Sequence, residues 1–147
     1  SYIKNEYQKL DIYKRISTIE TDEEYMDMQD ELLDRFGDIP KSVENLLKIA
    51  MVRALAHRAY VTEVFVNRQE IRLTMYQKAK LDVTRIPDFV QSYKGELKLV
   101  PGETPVFHYV DRRNKNSDSL IMLEKARTML EQLGKLGQKE PGGNGAD

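Results

Sequence analysis

ELLDRFGDIPKSVENLL, the stretch from Glu31 to Leu47, predicts the end of one helix and the start of the next. Gly37 follows the apolar Phe36, and glycine commonly ends a helix because it tolerates the positive φ that such a stop requires. Pro40 suits a first helical position, where its missing N–H costs no hydrogen bond. The stretch therefore predicts a corner between two helices, with Phe36, Gly37 and Pro40 as its structural residues.

This corner lies inside a strongly acidic segment. Residues 20–44 hold ten carboxylates against only Arg35 and Lys41, a local net charge of −8 in a chain whose net charge is −1. The rest of the chain must therefore carry +7. An acidic surface of this kind attracts a basic partner.

The helix before the corner is predicted to have two different faces. Thr21 with Glu24 three residues later forms a capping box, which marks a helix start. A helical wheel puts apolar side chains on one side, namely Tyr25, Met28, Leu32 and Phe36. It puts acids on the other side, namely Glu23, Asp27, Asp30, Glu31 and Asp34. Acids so close together repel one another, so their clustering favours a partner that supplies cations over a merely solvated face.

Outward from the corner, the periodicity of apolar residues predicts the other elements. Helices are expected over Tyr2–Ile19, Pro40–Ala59, Val83–Tyr93 and Leu120–Leu133, and strands over Val61–Asn67, Glu70–Tyr76, Leu97–Leu99 and Val106–Val110. This order predicts an α+β fold, in which N-terminal helices pack with a small antiparallel sheet of about four strands and further helices. Residues 1–137 are expected to form one domain, and 138–147, with a proline and three glycines, a disordered tail.

Several classes of function find no support in the sequence. The chain has no cysteine, so disulfides and thiolate metal sites are excluded. Its two histidines, His57 and His108, belong to no catalytic or metal-binding motif. We therefore expect no catalytic residue, no metal and no cofactor, and we expect a cytoplasmic protein that does not enter membranes. The missing initiator methionine suggests a fragment of a longer polypeptide.

Two further functions stay open on the residues alone. Glu31 and Asp34 are the two carboxylates that acid–base hydrolysis would need, but an exposed helix face provides no cleft, and ordinary pKa values are expected there unless something covers the carboxylates. Basic residues of the predicted helix Pro40–Ala59, of the hairpin expected from strands Val61–Asn67 and Glu70–Tyr76, and of the loops would suit nucleic acid. No series of exposed aromatics accompanies them for stacking bases. These residues are Arg53, Arg58, Arg68, Arg72, Lys78, Lys80, Arg85, Arg112, Arg113 and Lys115.

The segments LDIYKRIS (Leu10 to Ser17) and DELLDRFGDIPKSVENLLKIA (Asp30 to Ala50) resemble the C-terminal domain of bacterial transcription-repair coupling factors, the Mfd family. The resemblance extends from Tyr2 to about Leu136 and is most specific in the pattern E-L-x-D-R-F-G-x-x-P. Members of this family are ATP-driven double-stranded DNA translocases that displace stalled RNA polymerase and recruit UvrA for nucleotide excision repair. The resemblance thus implies ATP and Mg²⁺ in the motor domains of a parent protein and no cofactor in this chain.

The resemblance also implies a particular role for the acidic face. In the family, this domain is regulatory: it docks on the UvrB-like N-terminal module of the same polypeptide and masks the UvrA-binding surface. Carboxylates of the E-L-x-D motif meet arginines of that module, and these positions are Glu31 and Asp34. The helical wheel adds Asp27, Asp30 and Asp38 to the expected docking residues. UvrA and RNA polymerase are then indirect partners, and direct binding of nucleic acid is the alternative function, with the hairpin and loop arginines as its contacts.

Overall fold

The computed structural model of the chain describes residues 6–112 and 118–137. Its helices are α1 (Glu6–Ile16), α2 (Asp22–Phe36), α3 (Lys41–Arg58), α4 (Ile86–Gln91) and α5 (Ser119–Gly134), and its strands are β1 (Val61–Val66), β2 (Glu70–Met75), β3 (Leu97–Val100) and β4 (Val106–Val110). The expected α+β class with four antiparallel strands is confirmed. The tail expected to be disordered, 138–147, lies outside the described residues.

The chain divides into two compact units, Ser1–Ala54 and Leu55–Asp147, and the boundary falls within α3. The single domain expected over residues 1–137 stays a prediction. In the first unit, α2 begins as predicted: the Thr21 hydroxyl accepts a hydrogen bond from the Glu24 amide at 3.0 Å. The Glu24 carboxylate in turn accepts from the amide of Glu20 at 2.9 Å, so this side chain closes the turn before the helix.

The corner between α2 and α3 forms at the expected residues. The Gly37 amide donates to the Leu33 carbonyl at 2.8 Å and ends α2. Gly37 has the expected positive φ of 79°, but its ψ of −46° lies outside the left-handed helical region. Pro40 directly precedes α3, and its carbonyl accepts from the amides of Val43 and Glu44. These bonds fix where the second helix starts.

The first unit is held by an apolar cluster contributed by all three of its helices. The fully buried members are Ile12, Ile16, Ile19, Met28, Leu32, Val43, Leu47 and Ala50. Tyr13, Tyr25, Phe36, Ile39 and Leu46 are partly buried and pack against them. All four residues of the predicted inward face of α2 are in this cluster, so the wheel orients the helix correctly. The acids on the opposite side of α2 are consequently turned toward solvent, apart from Glu31, which is half-buried.

The second unit is built on a sheet with strand order β1-β2-β4-β3, every neighbouring pair antiparallel. The Asn67 side chain stabilises the β1–β2 hairpin by accepting from the amides of Gln69 and Glu70, both at 2.8 Å. A bulge interrupts the β1 register between Val61 and Glu63. One face of the sheet carries buried side chains, namely Ile71, Leu73, Met75, Phe107 and Tyr109.

Candidate docking surface on helix α2

The outer side of α2 displays carboxylates to solvent. Asp27, Asp30 and Asp34 are exposed along this side, whereas Glu31 is half-buried. Asp38 is also exposed but lies in the turn beyond Gly37. A helical wheel therefore does not place Asp38, since α2 ends at Phe36, two residues earlier. The structure brings Asp27, Asp30 and Asp34 onto one surface of α2, with Glu31 at its edge.

Glu31 differs from Asp27, Asp30 and Asp34 in that, among the residues that the structure describes, arginines of its own chain pair with it. Arg15 of α1 binds both of its oxygens: Nη2 donates to Oε1 and Nη1 donates to Oε2, each at 2.5 Å. Arg35, one turn along α2, approaches the same carboxylate at 3.4 Å. The hydrogen bond from Arg15 is the main reason that the pKa of Glu31 falls below its ordinary value. An ordinary pKa is expected only for a carboxylate that nothing covers, and Arg15 covers Glu31.

The Arg15–Glu31 pair should contribute modestly to stability, and only while Glu31 is ionised. Both side chains are more than a third exposed, 40% and 36%, so solvent limits the contribution to below about 1 kcal/mol. Because the folded-state pKa is the lower one, the contribution is complete above the unfolded pKa near 4.5 and is lost as pH falls through the folded value. We expect Arg15→Gln to lower the free energy of unfolding by about 0.5–1 kcal/mol at pH 7, and by less at pH 3.

Urea unfolding of the chain at the two pH values measures this difference. Lys14→Gln is the matched control, since Lys14 is the exposed neighbour of Arg15 in α1 and loses the same charge. An equal cost of Arg15→Gln at pH 7 and pH 3 would contradict the assignment, because the pair must disappear once Glu31 is protonated.

Asp30, Glu31, Leu33 and Asp34 line a shallow depression that is open to solvent. An open surface of this kind does not exclude water from Glu31 and Asp34, so it gives no support to hydrolysis by these two carboxylates. Within residues 6–112 and 118–137, no group of three or more His, Cys, Asp or Glu side chains could hold a metal ion. In the same part of the chain, no helix is long and apolar enough to cross a membrane. The open depression lined by Asp30, Glu31, Leu33 and Asp34 is suited to receiving a basic side chain rather than to hydrolysis.

A second polar surface lies on the open face of the sheet. Phe65, Arg72, His108 and Lys98 form one row, because each is directly opposite the next in neighbouring strands. The Arg72 guanidinium lies 4.2 Å from the centre of the Phe65 ring, which is 39% exposed. His108 Nε2 lies 2.8 Å from Glu70 Oε1. An exposed aromatic ring thus accompanies a hairpin-strand arginine, a feature that the sequence did not predict because the register of the β1–β2 hairpin, in which Phe65 lies opposite Arg72, was not known from it.

Comparison with known proteins shows similarity to transcription-repair-coupling factors. A family model described as TRCF domain matches residues 1–86. The transcription-repair-coupling factor of Bacillus subtilis (strain 168) is 36% identical over 83 residues, which are 56% of this chain and 7% of that protein. The factor of Staphylococcus haemolyticus is 40% identical over 78 residues, 53% of this chain and 7% of that protein. The chain thus corresponds to a small part of these relatives.

The similarity extends beyond the first unit in other comparisons. The transcription-repair-coupling factor of Myxococcus xanthus is 25% identical over 132 residues, 90% of this chain and 11% of that protein. A crystal structure of the C-terminal domain of a transcription-repair coupling factor superposes with a TM-score of 0.71 and 24% identity, covering 92% of this chain and 84% of that one. A solved structure of the same fold therefore matches 92% of the chain, including most of the second unit.

Proposed function

Because the chain belongs to the TRCF domain family of transcription-repair-coupling factors, we propose that it is a non-catalytic, autoinhibitory interaction domain. It docks on the UvrB-like N-terminal module of its own polypeptide and masks the surface that binds UvrA. The observation that carries this proposal is the solvent-facing acidic side of α2, where Asp27, Asp30 and Asp34 are exposed on one surface. A surface of uniform negative charge is complementary to the arginines expected on that module.

The parent protein is proposed to act as the family does. It is a cytoplasmic, ATP-dependent DNA translocase that removes stalled RNA polymerase, with ATP and Mg²⁺ bound in its motor domains. A resting state favoured 99:1 over the open one needs only about 2.7 kcal/mol. Interfacial ion pairs contribute from near zero to several kcal/mol according to their desolvation. Two or three such pairs therefore suffice for a docked state that must also be able to open.

The Arg15–Glu31 pair divides the roles among the docking carboxylates. Asp30 and Asp34 are exposed, so a partner arginine can reach them without displacing any group of residues 6–112 and 118–137. Glu31 is already bound by Arg15 through both oxygens. A carboxylate has about four lone-pair sites, so Glu31 can accept a further hydrogen bond while it keeps Arg15. In this proposal Asp34 makes the direct contact and Glu31 shares its charge between the two arginines.

We expect Asp34→Lys in the intact parent protein to raise its apparent affinity for UvrA about tenfold. Losing about 1.4 kcal/mol of docking energy would raise a 1% open population about tenfold, and UvrA binds only the open state. UvrA binding is measured with and without the substitution. The control is Glu63→Lys, which makes the same charge change at an exposed site on β1. Glu31→Lys is a poorer probe, because it places two cations together at Arg15. Unchanged UvrA affinity in Asp34→Lys would refute autoinhibition by this face.

The row of Phe65, Arg72, His108 and Lys98 on the sheet, in which Glu70 pairs with both Arg72 and His108, favours contact with nucleic acid as a second candidate function. Arg72, His108 and Lys98 are spaced by the distance between strands, about 4.8 Å. Phe65 beside Arg72 offers a ring on which a base could stack. This function predicts that the chain binds duplex DNA at low salt, that affinity falls as salt rises, and that Arg72→Gln weakens it. The absence of binding at low salt would dispose of it.

A further inference from the structure

Two large apolar side chains lie exposed on the acidic side of α2. Met26 is 60% exposed and Leu33 is 46% exposed. Seven residues make almost two full helical turns, so the two side chains lie in one line along the helix. Single exposed hydrophobic residues are common on protein surfaces. Here, however, both belong to the one helix face whose charge already points to a partner.

The acids border this apolar line closely. Asp30 follows Met26 by one turn, and Asp34 follows Asp30 by another, so a carboxylate lies beside each apolar residue. Leu33 itself lines the shallow depression together with Asp30, Glu31 and Asp34. The depression therefore has one apolar wall and three carboxylates around it.

We propose that Met26 and Leu33 are the apolar part of the docking surface. Its occupant is a protein surface on which arginines are surrounded by apolar side chains. An arginine has a methylene stem that packs on an apolar side chain and a planar fork that binds carboxylates. In the depression the stem lies against Leu33 while the guanidinium reaches Asp30 or Asp34. Met26, with its flexible thioether, extends the apolar contact along the helix. This inference rests on the proposed function, and it names the chemistry of the partner at that same site.

Ile49 shows why exposure alone does not define this surface. It is exposed to a similar degree, 48%, but it lies on α3 with Lys48 and Arg53 as its basic neighbours. A surface rich in arginines would be repelled there. Ile49 therefore provides a control within the first unit, with the same loss of exposed apolar surface and the opposite electrostatic setting.

The test measures the affinity of the 147-residue chain for the isolated UvrB-like module over a range of salt concentrations. Met26→Gln with Leu33→Gln keeps every charge and uses a good helix former. We expect this double variant to bind about tenfold more weakly, with an unchanged slope of log Kd against log salt. Asp34→Asn should weaken binding and also flatten that slope. Ile49→Gln should stay within twofold of the wild type. The unfolding transition of each variant is compared with that of the wild type, and Met26→Ala with Leu33→Ala provides a second pair.

The outcomes separate the inference from the function on which it rests. If both apolar pairs of variants bind normally while Asp34→Asn binds weakly, the inference is overturned and the proposed function stands. If Ile49→Gln weakens binding as much as the double variant of Met26→Gln with Leu33→Gln, the inference is also overturned, because the effect is not specific to α2. If the wild-type chain does not bind the module, the proposed function fails and the inference fails with it.

Discussion

Leu32→Ala is expected to lower the free energy of unfolding by about 3 kcal/mol, and Leu33→Ala to change it by less than about 0.5 kcal/mol. The two residues are neighbours in α2 but face opposite ways. Leu32 is 1% exposed and belongs to the apolar cluster of the first unit, so its truncation leaves a cavity among close-packed side chains. Leu33 is 46% exposed and leaves none. Urea unfolding followed by far-UV circular dichroism measures both changes.

The contrast between these two leucines checks the orientation on which the docking surface depends. Both substitutions remove the same atoms and introduce the same good helix former, so helix propensity cancels in the comparison. If the two variants lost stability equally, α2 would not present one apolar and one acidic face. The assignment of Asp30 and Asp34 to a solvent-facing surface would then be wrong.

Gly37→Ala is expected to cost about 2 kcal/mol of stability, through the backbone alone. The added Cβ would meet no atom within 4 Å, so no side chain needs to move. The cost arises because φ is 79° and ψ is −46°, a conformation that residues with a Cβ rarely adopt. Asparagine tolerates the left-handed helical region, but ψ here lies outside it, so Gly37→Asn should recover little of the loss.

Gly134→Ala serves as the matched control for this prediction. Gly134 lies in α5 without a positive φ, and its Cβ would also meet open space. Alanine has the higher helix propensity, so this change should stabilise the chain by up to about 1 kcal/mol. Thermal or urea unfolding of both variants gives the two signs. A neutral Gly37→Ala would mean that the corner does not depend on a glycine conformation.

The sequence predicts the elements that local chemistry decides. Thr21 and Gly37 bound α2 because a hydroxyl cap and a positive φ act within a few residues. The inward face of α2 follows from the helical period alone. The hairpin at Asn67 is likewise local, since its side chain bonds to the two amides that follow. Each of these predictions needs no knowledge of the remainder of the chain.

The features that the sequence did not predict involve residues that are distant along the chain. Arg15 and Glu31 are 16 residues apart, and only the packing of α1 on α2 brings them together. Their pairing weakens the inference that the clustered acids of α2 need cations from a partner, because Arg15 of the same chain supplies one of them. The β2–β4 pairing was missed for a similar reason: two hairpins can join in several orders, and the pattern of apolar residues is compatible with each.

The two outer strands of the sheet also bear on how the protein behaves at high concentration. Free strand edges can recruit edges of other molecules and start aggregation. At one edge, the bulge between Val61 and Glu63 breaks the regular spacing of hydrogen-bonding groups on β1. At the other edge, β3 is only four residues long and carries Lys98. The bulge makes the β1 edge a poor template for strand addition. The short length and the charge of β3 have the same effect at the other edge. The sheet is therefore protected against self-association through its edges.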